Sequence, residues 1–169
     1  MKILVVLMML LMASCGDGQK TNNKVVENFE LKRYLGTWYE IVRLDHSFEM
    51  GCSKVYANYS RKENGDIKVV NRCVKDGKEK SAKARAHFKN GDSSKGHLKV
   101  SFFWPFYGDY KIIYLDKEYR TAIVDGGTTD YFWILSRSKS ISSAKLLDLL
   151  KRAEEFGFDS SKFIFTKQI

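Results

Sequence analysis

Through the middle of the chain, apolar and polar residues alternate one by one. A period of two belongs to strands with one buried and one wet face. Ala82, Ala84, Ala86 and Phe88 alternate with Lys83, Arg85 and His87, and Leu98, Val100 and Phe102 with Lys99, Ser101 and Phe103. Turn signals punctuate the runs: Asn64-Gly65-Asp66, Asp76-Gly77, Asn90-Gly91-Asp92, Leu115-Asp116-Lys117 and Asp125-Gly126-Gly127. Many short strands with short turns imply a sandwich or an up-and-down barrel. Pro105 sits among aromatic residues and marks a further turn. The 169 residues suit one domain, and no internal repeat is visible.

The C-terminal part differs. Ser142 or Ser143 can cap a helix running to Phe156, and Gly157 suits the position just past its end. Leu146, Leu149, Leu150, Ala153 and Phe156 form one apolar stripe. A helix packed by this stripe on the outside of the sheet is expected, followed by a short strand at Phe163-Ile164-Phe165.

The N-terminus reads MKILVVLMMLLMASC. Its apolar run has the length of a signal-peptide core and is too short to span a bilayer. Met12-Ala13-Ser14-Cys15 resembles the lipobox of bacterial lipoproteins. That resemblance implies cleavage after residue 14 and lipidation of Cys15, with Gly16 directing the product to the outer membrane. Residues 15–24 then read as a lipidated, flexible tether, and residues 25–169 as the folded domain.

A formal charge of +9 could favour nucleic acid, anionic lipid or acidic ligands. The basic residues are scattered, and no groove-reading helix or basic arm is visible, so no nucleic-acid partner is expected. Cys52 and Cys73 remain after Cys15. Export favours a disulfide between them. A hairpin turning at Asn64-Gly65 sets Cys52 opposite Gly77 rather than Cys73, which favours two free thiols unless bulges intervene. Both readings stay open.

Gly36-Thr37-Trp38, Thr129-Asp130-Tyr131 and Ile134-Leu135-Ser136-Arg137 occur in the order and spacing of the lipocalin signature motifs. The stretches NFELKRYLGTWYEI, LKVSFFWPFYGDYKIIYLD and DYFWILSR resemble the bacterial outer-membrane lipocalins. The likeness runs from about Val25 to Lys167. It implies an all-β fold: an eight-stranded antiparallel up-and-down barrel, closed at one end, with the C-terminal helix outside. It also implies that Gly36, Trp38, Thr129, Asp130, Tyr131 and Arg137 are structural, with Arg137 packed across the Trp38 indole.

Counting by two from the motif residues gives an inward lining of Val42, Tyr59, Asn71, Ala84, Ala86, Val100, Phe102, Tyr114 and Trp133. The resemblance places Tyr59, Asn71 and Trp133 in the ligand pocket. It implies a carrier of fatty acid or lysophospholipid at the bacterial envelope, with no cofactor. His46, His87 and His97 are dispersed without metal-ligand spacing, and no nucleophile motif is legible, so catalysis is not expected. A haem or tetrapyrrole carrier using one histidine, or an interaction protein with an incidental barrel, are the alternatives. Phe103 and Phe106 are either exposed at the mouth, for membrane contact or a homodimer, or packed in a buried aromatic turn.

Overall fold

The computed structural model describes residues 18–169; the expected signal peptide and the expected lipidation site Cys15 lie outside them. Eight strands run up and down: β1 (Gly36–Leu44), β2 (Ser53–Arg61), β3 (Ile67–Lys75), β4 (Lys78–Phe88), β5 (His97–Phe103), β6 (Phe106–Leu115), β7 (Thr121–Asp125) and β8 (Phe132–Ser136). Each pairs antiparallel with the next, and β1 pairs with both β2 and β8, so the sheet closes into a barrel. Closure removes the free edges that an open sheet would expose.

The helical turn α1 (Leu31–Tyr34) precedes β1 and covers one end. Trp38 plugs that end with 0% exposure, and its Nε1 donates to the Tyr34 carbonyl at 2.8 Å. Gly36 has φ +96, and a Cβ there would stand 3.3 Å from Arg137 Nη1, so backbone and space both select glycine.

The helix α2 (Ser143–Glu155) is capped by Ser142, whose side chain accepts from Lys145 N. Its Leu149 and Ala153 pack with Val42, Ile113, Ile123, Phe132, Ile134 and Phe163 in a second core between helix and barrel wall. A short strand β9 (Phe163–Phe165) pairs with the far half of β1, where the β1–β2 pairing has ended. Gln168 ties the gap: its Nε2 donates to the carbonyls of Glu40 and Val55 at 2.7 and 2.8 Å.

Cys52 and Cys73 are joined, with Cα atoms 5.6 Å apart. The β2–β3 register slips between Ser53 and Tyr56, at Lys54 with φ 51. Continuing the Ser53–Val74 pairing sets Cys52 opposite Lys75 instead of Gly77, within reach of Cys73.

Gly18–Lys24, expected to be flexible, is instead fastened to the barrel. Gly18 N donates to Asp130 Oδ2 at 2.9 Å, and Gln19 N to Thr129 Oγ1 at 3.0 Å. Thr21 Oγ1 and Asn23 Nδ2 donate to the carboxylate of Asp125, a fully buried residue paired with Lys111 at 3.3 Å. A polar stretch reads as linker when its partners lie a hundred residues away. Thr129 and Asp130 of the signature thus serve as the latch for this segment.

Candidate functional site

The closed end fixes where a ligand can sit. Arg137 stands with its guanidinium carbon 4.0 Å from the Trp38 ring centroid. Its Nη2 donates to the carbonyls of Arg33, Tyr34 and Leu35 at 2.8, 3.1 and 2.9 Å. These carbonyls end α1 and have no helical partner of their own, so one cation satisfies them together. The solid packing continues through Ile67, Leu98, Ile112, Ala84 and Ala86. Above it the barrel opens into a cavity of about 430 Å³, within the range of sites that take one small ligand.

Tyr59 and Tyr110 lie on the cavity floor, and Tyr34 of the packed core bonds to them. Tyr110 Oη lies 2.8 Å from both Tyr34 Oη and Tyr59 Oη. Burial pushes all three phenols up, Tyr59 to about 12. They stay neutral and pass hydrogen bonds among themselves, so the floor offers no charge to a ligand. Val55, Ala57, Val69, Val100 and Leu135 supply apolar wall. Asn71 Oδ1 is buried in that wall with no hydrogen-bond partner among the described residues, an acceptor open to a polar ligand atom.

One side of the wall is acidic. Glu40 and Arg43 pair at 3.1 Å, and Arg43 Nη2 holds the carbonyl of Glu49 at 3.1 Å. Glu49 Oε2 accepts from Trp133 Nε1 at 3.2 Å and stands 3.0 Å from His46 Nε2. Burial, then the charge of Glu49, raises Glu40 to about 8. Burial pushes Glu49 the same way, but hydrogen bonding and charge from His46 outweigh it and the net shift is downward. The lining includes Glu40, Glu49 and Asp109 but neither lysine nor arginine. Each already has a partner, Arg43 for Glu40, His46 for Glu49, and His97 and Lys99 for Asp109, so the lining offers an anionic head no free cation.

Of the expected lining residues, the structure sets Tyr59, Asn71, Val100, Phe102 and Trp133 on this cavity. Val42 and Tyr114 are placed elsewhere. The β1–β8 register slips between Glu40 and Val42, and the β6–β7 register between Ile112 and Tyr114. Each bulge moves the following residues to the opposite face. Val42 and Tyr114 therefore lie under α2, where Tyr114 Oη accepts from Lys145 Nζ at 3.1 Å. Ala84 and Ala86 face inward as expected but sit in the packed half of the barrel, not on the cavity. Periodicity gives the face of a strand, not its depth along a tilted barrel.

Several lining residues were not selected by the sequence: Glu40, Glu49, Phe48, Ala57, Val69 and Tyr110. Glu40 shares the face of Trp38 by the same count of two, so that signal was present. Phe48 and Glu49 come from the β1–β2 loop and carry no periodic signal. Tyr131 joins the rim, with its ring 6.3 Å from Trp133 and 6.1 Å from Phe48. The histidines stay apart: His46 stacks on Phe48, His87 meets Tyr107, and His97 pairs with Asp109 at 2.7 Å.

A lipocalin-like domain model matches residues 29–168. This chain belongs to the lipocalin family. It is 49% identical over 146 residues to outer membrane lipoprotein Blc of Citrobacter freundii, covering 85% of this chain and 82% of that one. Against outer membrane lipoprotein Blc of Vibrio cholerae the identity is 43%, with 98% of each chain covered. Apolipoprotein D of Macaca fascicularis is 34% identical, over 88% of this chain and 87% of its own. Among solved structures, insecticyanin from Manduca sexta superposes with a TM-score of 0.73 at 20% identity, covering 89% and 86%; that likeness shows the fold. Lipocalins are ligand-binding carriers, and this lipocalin has the corresponding cavity for an apolar ligand.

Proposed function

We propose that this lipocalin binds a single-chain lipid, a fatty acid or lysophospholipid, tail-first in its barrel, and holds it at the bacterial outer membrane through a lipid anchor on Cys15. The carrying observation is the cavity itself: an apolar wall over a neutral tyrosine floor, with no lysine or arginine in the lining to hold an anionic head. An acyl tail gains about 0.8 kcal/mol per buried methylene, so roughly ten of them give a gross ~8 kcal/mol before the costs of ordering. With no cation in the lining to receive it, the anionic head stays at the mouth. The lipobox and the outer membrane lipoprotein relatives support the anchor and its location. Catalysis is no part of this reading.

Delipidated protein titrated with lysophospholipid or fatty acid should gain thermal stability by mass action and release a fluorescent lipid probe from the barrel. No stabilisation together with no displacement would reject the reading. An absorbance titration with haem, giving no Soret shift, separates it from tetrapyrrole carriage.

A further inference from the structure

Three phenols meet below the cavity, and they carry three hydroxyl protons. Tyr110 Oη meets Tyr34 Oη and Tyr59 Oη, and none of the three has another hydrogen-bond partner among the described residues. Two contacts use two protons, whichever atom donates, so the third proton has no protein acceptor. Burial holds all three phenols above their ordinary range, and the proton is not shed. Tyr34 is fully buried in the packed core, whereas Tyr59 and Tyr110 line the cavity. A spare proton on Tyr34 would be buried unpaired, at a cost. The favoured arrangement has Tyr34 donating to Tyr110, which leaves the spare donor on Tyr110 or Tyr59, facing the cavity.

A second unpaired group stands one step nearer the mouth. Across β2 and β3, Tyr59 pairs with Val69 and Ala57 with Asn71, so Asn71 is the next inward residue on β3. Its Oδ1 is buried without a partner, opposite the small side chain of Ala57. Val55, Val69, Val100 and Leu135 of the same lining bring neither donor nor acceptor on their side chains. A plain acyl chain laid down this wall would cover one donor and one acceptor and satisfy neither. A hydroxyl on the chain answers both: its oxygen accepts from the phenol and its proton goes to Asn71 Oδ1. Asn71 lies four residues before the Lys75 end of β3, about 13 Å along the strand. The hydroxyl then falls in mid-chain, away from the head at the mouth.

We propose that the Tyr59 and Tyr110 hydroxyls and Asn71 form a polar subsite inside the barrel, and that the lipid it selects carries a hydroxyl in mid-chain. This rests on the lipid reading put forward above and narrows its ligand class. An apolar barrel without the subsite would rank a hydroxylated chain below the plain one, because the hydroxyl would be buried unpaired. The subsite reverses that order.

The test uses the full chain, processed in a bacterial host, delipidated and loaded with a displaceable fluorescent fatty acid. Stearate, 3-hydroxystearate and 12-hydroxystearate compete for the site. 12-Hydroxystearate should bind at least about fivefold more tightly than stearate, the gain expected of one or two buried hydrogen bonds. 3-Hydroxystearate, whose hydroxyl stays at the mouth, should match stearate. Asn71→Leu should bring the ratio of 12-hydroxystearate to stearate to one or below, and so should Tyr59→Phe combined with Tyr110→Phe. Both tyrosines are changed together because either change alone still leaves a spare proton. If the double variant loses its near-ultraviolet dichroism and is unfolded, Asn71→Leu decides. Equal binding of stearate and 12-hydroxystearate by the wild type overturns the subsite and leaves the lipid reading standing. A preference that survives Asn71→Leu overturns it as well. Failure of all three lipids to displace the probe removes the lipid reading and the subsite together.

Discussion

Arg137 Nη1 donates to the Thr37 carbonyl at 2.8 Å while its guanidinium lies across the indole of Trp38, the next residue along. One side chain from just past the last barrel strand, β8, thereby joins the start of β1 to the end of α1. Burial accounts first for the lowered pKa of this guanidinium, and the neighbouring tyrosines oppose it.

Trp38→Ala should cost about 3–5 kcal/mol, the range for deleting a large buried ring. Denaturant unfolding measures it. The indole also borders the base of the cavity, so a variant that still folds should deepen the site and keep lipid binding. Unchanged stability with lost binding would make Trp38 a ligand contact rather than a plug.

Val100→Trp and Ala86→Trp should separate cavity from core. Val100 lines the cavity, so a ring there fills ligand volume; the variant should fold and bind lipid at least about tenfold more weakly, a difference of about 1.4 kcal/mol. Ala86 is fully buried among Trp38, Ile67 and Leu98, so a ring there overpacks, at roughly 1–3 kcal/mol or more. Melting and probe displacement on both variants check the contrast. Equal destabilisation of the two would mean that the cavity wall at Val100 is solid.

The two halves of the site were unequally legible in the sequence. The motif residues around Trp38 and Arg137, the capped helix and the strand faces of Tyr59, Asn71, Val100 and Trp133 follow from periodicity and local signals. Val42 and Tyr114 were misplaced because a bulge adds one residue without leaving a compositional mark. Ala84 and Ala86 were placed on the right face at the wrong depth, since depth depends on strand tilt and stagger. The fastening of Thr21 to Asp125 and Lys111 is long-range polar chemistry, invisible to any pattern with a local period.

Asp125→Ala should loosen the N-terminal segment. It leaves Lys111 buried at 7% exposure without its carboxylate and removes the acceptor of Thr21 and Asn23. Removing one partner of a buried pair costs about 3–5 kcal/mol. Hydrogen exchange should show the amides of Thr21 and Val26 losing protection first. Exchange unchanged at these amides would show that the segment is held by its backbone bonds to Gly127 and Ile112 alone.

Glu40 sets the pH dependence. Its carboxyl is raised from the ordinary 4.5 to about 8 by burial and by Glu49. Between these values the unfolded chain has released this proton while the folded chain keeps it. The folded state then binds more protons, and stability falls as pH rises. Glu49 works with the opposite sign: its lowered carboxyl is ionised in both states throughout this window, and its contribution is lost only in acid. Glu40→Gln keeps an amide able to bond Thr166 and removes the titration. Melting temperatures across pH 5 to 8 should therefore decline in the wild type relative to Glu40→Gln, with the two differing least at the acid end. Parallel profiles would mean that Glu40 is ionised across the range, held by Arg43, and that the acidic wall carries two negative charges toward the ligand instead of one.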